Sequence, residues 1–142
     1  MLTIRNKCLH YKIHNFDRSK NDEKLTLIFL HDSFGCTELW KDFPRKLGVD
    51  VKLDVLVYDR QGYGKSDPAD HERRENNYME TEADILIEIM DHFHINKSVL
   101  FGHSDGATIS LIAGAKYPDR IHGIISEAAH VFVEDITLQG IE

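Results

Sequence analysis

Short uninterrupted apolar runs divide the chain at intervals, separated by amphipathic stretches. Four of them cover Leu25–Leu30, Leu53–Tyr58, Ser98–Phe101 and Ile121–Ile125. Runs of this length and composition are typical of strands that are covered on both faces of a sheet. Nearer the N-terminus, Leu2–Asn6 and Cys8–His14 predict a pair of strands, followed by a polar turn.

Helical spacing marks two of the intervening stretches. In the first, the apolar positions are Leu39, Trp40, Phe43 and Leu47. Pro44 predicts that this element is shortened or split. The second has a broad apolar stripe and an acidic opposite side over residues 79–93, as an amphipathic helix requires. Asn77, with Glu80 three residues later, matches a capping box at its start.

A third helix is predicted from Asp105 to Tyr117, where nearly all positions are small or apolar. Such a helix should be deeply buried, and Pro118 should end it. Strands that alternate with helices predict an α/β fold with a mostly parallel sheet flanked by helices. In such folds, sites form at the carboxyl ends of the strands.

The composition fits one domain spanning residues 1–142, with 42% hydrophobic and 29% charged residues. The net charge of −7 argues against nucleic acid or an anionic membrane as the main partner. No apolar stretch reaches the roughly 20 residues of a membrane span, and the N-terminus lacks a signal-peptide pattern. Cys8 and Cys36 form no CxxC pair, so we expect two thiols in a reducing cytoplasm.

The sequence GHSDG, residues 102–106, follows the third apolar run and opens the third predicted helix. A sharp strand-to-helix turn brings backbones close together, and Gly102 and Gly106 would relieve that crowding on either side of His103. The turn would then present the Ser104 hydroxyl above the sheet as a nucleophile. The alternative is a serine that only caps the helix in a glycine-rich turn.

A nucleophilic serine needs donors for the oxyanion that it creates. The N–H of Asp105 lies in the first helical turn, where the helix dipole adds to its effect. The second donor is expected from the loop after the first apolar run, which reads HDSFG over residues 31–35.

Taken in order, the HDSFG loop, the YDRQGYGKSD loop and the GHSDG turn resemble the N-terminal part of an alpha/beta hydrolase with a serine nucleophile. By motif position, the resemblance implies that Ser33 supplies the second oxyanion N–H. One departure is Asp32, where the family usually has glycine, and its charge must point away from an oxyanion. His31 is expected to be a structural hydrogen-bonding residue rather than a base.

The GYGKSD segment, residues 62–67, is not a phosphate-binding loop, because Asp59 stands where that motif needs glycine. We expect Asp59 and Arg60 to form a partly buried network among tight turns. The resemblance implies that this loop braces the GHSDG turn.

The acid and base of a triad follow the serine in this family. His122 begins the last apolar run and so lies at the opposite end of the sheet. His130 lies on the correct side, and Glu127 could support it. One interpretation is therefore a triad of Ser104, Glu127 and His130. The other, which we favour, follows from the resemblance: it implies that the chain stops before a lid of helices, two further strands, the acid and the histidine.

Such a chain leaves one sheet edge open, which predicts a homo-oligomer or pairing through that edge. The resemblance implies hydrolysis of a small-molecule ester, amide or related acyl substrate, without a cofactor. Serine in the turn argues against the dehalogenase and epoxide-hydrolase branches. The alternative is a catalytically dead fragment or pseudo-hydrolase that acts as a binding module. His10, His14, His92 and His94 do not make a convincing metal site.

Overall fold

The computed structural model describes residues 1–15, 25–70 and 75–132, in which strands and helices alternate. Three short strands come first: β1 (Leu2–Ile4), β2 (Lys7–Leu9) and β3 (Tyr11–His14). The remaining elements are β4 (Leu25–Leu30), a 3-10 helix (Thr37–Trp40), α1 (Phe43–Val51), β5 (Asp54–Tyr58), α2 (Tyr78–His92), β6 (Lys97–His103), α3 (Asp105–Lys116) and β7 (Ile121–Glu127).

Five of these strands form one sheet in the order β3-β5-β4-β6-β7. β4 to β7 run parallel, and β3 is an antiparallel strand at one edge. The four apolar runs therefore became the parallel strands, which confirms the predicted fold class. The chain passes from β4 to β5 on one side and to β6 on the other. The loops after β4 and β6 consequently meet at the switch point, where such sheets bind ligands.

Helices cover both faces of the sheet. On one face, Leu27, Phe29, Val55 and Val57 pack against the 3-10 helix and α1. Phe29 is fully buried there, stacked on Phe101 at 5.0 Å and edge-on to Trp40 at 5.1 Å. The opposite face packs on α2 and α3 through a larger cluster that also includes the β1–β2 hairpin. Burying each large apolar side chain contributes roughly 1.5–3 kcal/mol, which fixes the sheet beneath the site.

The prediction of a single strand over Cys8–His14 was wrong, because the chain leaves the ladder at His10. The main-chain oxygen of His10 accepts from Asp59 N–H (2.9 Å), and its N–H donates to Ser66 Oγ (2.9 Å). β2 pairs back on β1 through a turn at Arg5 and Asn6, both with positive φ. Two left-handed residues are typical of a tight hairpin turn. β3 joins the main sheet instead.

Of the two predictions about helix starts, at Pro44 and at Asn77, one is confirmed and the other is wrong. The split at Pro44 is confirmed, since Pro44 lies in the first turn of α1 and the 3-10 helix stands apart. The capping box was wrong: the Asn77 side chain makes no capping hydrogen bond. Its φ and ψ of −101° and 21° are not the extended conformation of a capping residue. The Thr81 N–H and hydroxyl donate instead to the Asn77 main-chain oxygen.

Helix α3 is buried mainly over its N-terminal half, whereas Leu111 is 37% exposed, so the prediction of burial throughout was too broad. β7 lies at an edge of the described sheet and exposes 46% of Ile125. Within the described ranges, no helix is both long and apolar enough to cross a membrane.

Candidate active site

Ser104 occupies a strained turn between the end of β6 and the start of α3. Its φ of 53° and ψ of −118° lie in a region that residues with side chains rarely adopt. Hydrogen bonds hold it on both sides. Its N–H donates to the Glu127 main-chain oxygen (2.8 Å), and its own oxygen accepts from Ala107 N–H (2.9 Å). The surrounding structure thus imposes the conformation and leaves the Ser104 side chain partly exposed.

The glycines on either side of this turn lie at very close backbone approaches. A Cβ at Gly102 would come within 2.6 Å of the Cα and N of Ala107. A Cβ at Gly106 would lie 2.5 Å from the carbonyl carbon of Leu30 and 2.7 Å from the oxygen of His31. Both blocking groups are main chain, so they cannot rotate away. The absence of a side chain at these two positions lets α3 sit directly against β4 and β6.

The histidine that the structure brings to the serine is His130. Its Nε2 lies 3.5 Å from Ser104 Oγ, at the outer limit of a hydrogen bond. The Thr108 hydroxyl accepts from the His130 N–H (3.0 Å) and also lies 3.1 Å from the His130 oxygen, as a donor. Thr108 is on α3, one turn after Ser104. One side chain therefore ties the segment after β7 to the helix that begins at the serine.

Two other residues considered for the acid and base lie elsewhere. No hydrogen bond or ion pair joins the Glu127 carboxylate to His130 within the described residues. Glu127 instead meets the site through its main-chain oxygen, and its side chain is exposed. His122 lies near the start of β7, at the far end of the sheet from Ser104, as the sequence predicted.

The loop after β4 places Asp32 and Ser33 beside the serine turn. The Asp32 oxygen accepts from Gly35 N–H (3.3 Å), and its Oδ1 accepts from Phe34 N–H (2.8 Å), so a tight turn encloses Ser33. Asp32 Oδ2 lies 3.2 Å from the Nδ1 of His103. The Asp32 carboxylate is thus held by Phe34 N–H on one oxygen and by His103, the residue before Ser104, on the other.

His31 is a buried structural residue. Its Nδ1 lies 2.7 Å from the Asp32 oxygen, and its Nε2 accepts the Arg60 N–H at 3.0 Å. That pairing assigns the proton to Nδ1 and leaves the ring neutral. Burial, followed by the charge of Arg60, lowers the pKa of His31 to about 4. Since both ring nitrogens have partners inside the fold, His31 serves structure rather than proton transfer, as expected.

Arg60 connects the loops from beneath. Its side chain is 1% exposed, and Nη2 donates to the main-chain oxygens of His31 (3.2 Å) and Asp32 (2.8 Å). Its Nη1 lies 3.9 Å from the Asp105 carboxylate, which also accepts the Tyr78 hydroxyl. A buried cation of this kind fixes the first turn of α3 relative to the loop after β4.

The loop after β5 folds around the Asp59 carboxylate. One oxygen accepts from Thr37 N–H (2.5 Å) and the other from Lys65 N–H (2.9 Å). A Cβ at Gly64, which has a φ of 53°, would overlap that carboxylate. Asp59 and Arg60 both take part in hydrogen-bond networks, as predicted, but both are buried rather than partly buried, and their side chains bond to different partners. The Asp59 carboxylate accepts main-chain N–H groups in this loop, whereas a phosphate-binding loop would leave such N–H groups free for the phosphate.

A cavity of about 160 Å³ lies next to the serine turn. Its walls are His31, Asp32, Gly35, Cys36, Leu39, Trp40 and His103. Both cysteines are free thiols. In the described part of the chain, no group of three histidine, cysteine or acidic side chains could hold a metal ion.

Sequence reasoning missed Thr108 and Tyr78. Thr108 lies on the helix predicted to be buried, and a single hydroxyl among small residues carries no signal of its partner 22 positions away. Tyr78 begins α2 and contacts Asp105, 27 positions later. Contacts between residues 22 and 27 positions apart produce no periodic pattern that a local reading of the sequence could detect.

The family described as the alpha/beta hydrolase fold matches residues 26–140 of this chain. The chain therefore belongs to the alpha/beta hydrolase family. A human protein named Serine hydrolase BPHL is 36% identical over 93 residues, covering 65% of this chain and 32% of that protein. A probable proline iminopeptidase from Leptolyngbya boryana is 31% identical over 110 residues, covering 78% and 33%.

Solved structures agree with the fold. A structure from a study of carboxylesterases of Nitrososphaera gargenis superposes with a TM-score of 0.81 at 20% identity, covering 99% of this chain and 49% of that one. At that identity the likeness speaks for the fold alone. The matched part spans about a third of the length of the two curated relatives named above.

Proposed function

We propose that this chain carries the nucleophile and the oxyanion donors of a serine hydrolase that cleaves ester, amide or related acyl substrates. The observation that carries the proposal is the backbone of Ser104, held at a φ of 53° between β6 and α3. Strain of this kind is costly, and it is kept where a side chain must be presented in one direction. A serine that only capped the helix would need no such conformation, and its side chain makes no capping hydrogen bond.

The proposed reaction is acyl transfer. Ser104 Oγ attacks the substrate carbonyl, its proton passes to an imidazole, and the carbonyl oxygen becomes an oxyanion. The main-chain N–H groups of Ser33 and Asp105 would stabilise that charge, the second aided by the N-terminal end of α3. The imidazole then protonates the leaving alcohol or amine, and water releases the acyl group from Ser104. No step needs a cofactor.

Two sources of the imidazole are compatible with this reaction. The first is His130, whose Nε2 lies 3.5 Å from Ser104 Oγ and whose main chain is held by Thr108. Glu127 is three residues earlier, but its carboxylate makes no hydrogen bond to His130 among the described residues. Alternatively, an acid and a histidine come from chain outside these 142 residues. In that case His130 would line the substrate site beside the nucleophile.

The names of the relatives favour small-molecule acyl substrates. They include a serine hydrolase, a probable proline iminopeptidase and a hydrolase of 2-hydroxy-6-oxononadienedioate from Escherichia coli. We extend the class of reaction to this chain, as part of a hydrolase core domain over residues 1–142. Free thiols at Cys8 and Cys36 support the proposed location in the cytoplasm.

The second candidate function is a binding module without catalysis. The observation that favours it is the β7 edge, where no further strand among the described residues pairs with the sheet and Ile125 is half exposed. An open edge strand is a template for pairing with a second copy of the chain. Sedimentation of the 142-residue chain at increasing concentration tests that pairing directly.

A fluorophosphonate probe distinguishes the two functions. We expect labelling of the chain at Ser104, none in Ser104→Ala, and turnover of a short chromogenic ester if a base is present. Equal labelling of the alanine variant, or no labelling of the parent chain, would reject Ser104 as the nucleophile of this chain.

A matched pair of histidine variants then tests the base. His130→Gln should slow labelling at least tenfold if His130 is the base, because general base catalysis contributes about 10²–10⁴ in rate. His122→Gln, which lies near the start of β7 at the far end of the sheet from Ser104, should have no effect. Equal rates in the two variants would assign the base to chain outside these residues.

A further inference from the structure

We propose that Asp32 and His103 form a clamp that joins the loop after β4 to the serine turn, and that His103 is a positioning residue for the reaction proposed above. The inference rests on that proposed function for its catalytic consequence. Its structural part rests only on contacts between the two residues. The two residues are 71 positions apart in the sequence, and Asp32 Oδ2 lies 3.2 Å from His103 Nδ1.

Asp32 makes contacts in three directions at once. Its Oδ1 accepts the Phe34 N–H, which shapes the turn around Ser33. Its Oδ2 faces the Nδ1 of His103, the last residue of β6. Its main-chain oxygen accepts from Arg60 and lies within hydrogen-bond distance of the His31 ring. A glycine at position 32 could make the main-chain contacts but neither side-chain contact, so the carboxylate adds the link to β6.

The clamp also places a histidine against the negative charge that Asp32 brings to this loop. A carboxylate beside a developing oxyanion opposes it, and the opposition is offset when a cation lies against the carboxylate. Protonated His103 is placed to be that cation. When His103 is neutral, the charge of Asp32 is uncompensated and the contact weakens from an ion pair to a hydrogen bond.

The groups that face His103 decide how it responds to pH. Asp32 is the acid in contact, and Glu127 is its partner in the β6–β7 register. Cys36 and His31 share the cavity wall with His103. The depressed pKa of His31, about 4, keeps that ring neutral above pH 5.

Amide NMR of the 142-residue chain tests the clamp without any catalysis. Because the Phe34 N–H is bound to Asp32, its resonance should shift with pH when His103 is present. The shift should disappear in His103→Gln and in Asp32→Asn. It should persist in His130→Gln, which removes the other histidine near Ser104. Persistence in His103→Gln, or no shift in the parent chain, would overturn the clamp.

The catalytic consequence is a ratio of rates. The labelling rate of the parent chain divided by that of His103→Gln should fall about two- to fivefold from pH 5.5 to pH 8, the range expected of a partly exposed ion pair. Dividing the rates cancels the titration of the base, which both chains share. In the Asp32→Asn background the same ratio should not change with pH. A constant ratio with Asp32 in place would contradict the positioning role.

The two proposals fail separately. If Ser104 is not labelled in any variant, the proposed function is wrong, and the Phe34 resonance still decides whether the clamp exists. If labelling is normal but the resonance is insensitive to His103, the clamp is wrong and the proposed function stands.

Discussion

Replacing Gly106 with alanine is the most direct test of how the serine turn is built. Gly106 is in the first turn of α3, where the helix rests on the end of β4. An added Cβ would lie 2.5 Å from the Leu30 carbonyl carbon and 2.7 Å from the His31 oxygen. The nearest atom, the Leu30 carbonyl oxygen, lies closer still, and since ordinary contact begins near 3.4 Å, helix and strand must separate by more than about 0.9 Å. That displacement would also move Ser104, two residues earlier.

The expected cost follows from two opposing effects. Overpacking a well-packed core costs typically about 1–3 kcal/mol, and here the upper end applies because the obstacle is main chain. Alanine is favoured over glycine in a helix by about 1 kcal/mol. The free energy of unfolding should therefore fall by about 2 kcal/mol, which lowers the melting temperature by roughly 6 °C in a chain of this size.

Urea unfolding measures this difference, followed by far-UV circular dichroism and by fluorescence of Trp40, the single tryptophan. Gly114→Ala is the matched control on the same helix. Its Cβ would meet the end of the flexible Ile124 side chain, which can move aside. We expect that control to be as stable as the parent chain or more stable by up to about 1 kcal/mol, because alanine is also the better helix former at this position. If Gly106→Ala were equally harmless, or Gly114→Ala equally damaging, the close approach would not be what makes Gly106 necessary.

Two further predictions concern pH and the position of His130. The folded pKa of His31, about 4, lies below its unfolded value near 6.5, so the unfolded chain binds the proton first. Stability should thus be complete above pH 6.5 and fall by about 3 kcal/mol as pH drops to 4, and urea titrations of His31→Gln should show a flatter dependence. Thr108→Val removes both hydrogen bonds to the main chain of His130 and should cost about 1–2 kcal/mol, whereas Thr108→Ser should keep them. If His130 is the base, labelling of Ser104 should slow in the valine variant only; equal unfolding midpoints for valine and serine would show that the hydroxyl does not hold His130.

The parallel sheet could be predicted because its strands are buried on both faces. Phe29 and Val57, for example, are 0% and 2% exposed, and each belongs to a continuous apolar run that is visible in the sequence. The split at Pro44 was equally readable, since the missing N–H and fixed φ of proline act locally. Patterns of this kind need no knowledge of distant partners.

The two wrong predictions, at His10 and Asn77, concern positions where the local sequence pattern does not decide the structure. His10 looks like any strand residue, but Asp59 and Ser66, some 50 positions later, take its main-chain hydrogen bonds. Asn77 has the residue type of a capping position, but its backbone does not adopt the required conformation. In both cases tertiary contacts or backbone geometry overrode a local preference, which spacing alone does not reveal.

The GHSDG motif located Ser104, whereas the structure shows what orients it. Arg60 contacts main-chain oxygens of His31 and Asp32, so its hold on that loop does not depend on which side chains stand there. In the Asp32 carboxylate, Oδ1 supports its own turn by accepting the Phe34 N–H, while Oδ2 faces His103. Removing the carboxylate should loosen the link to β6, while removing Arg60 should loosen the loop itself. The contacts from Arg60 to this loop are therefore kept whatever side chain stands at position 32, because they are made to main-chain oxygens.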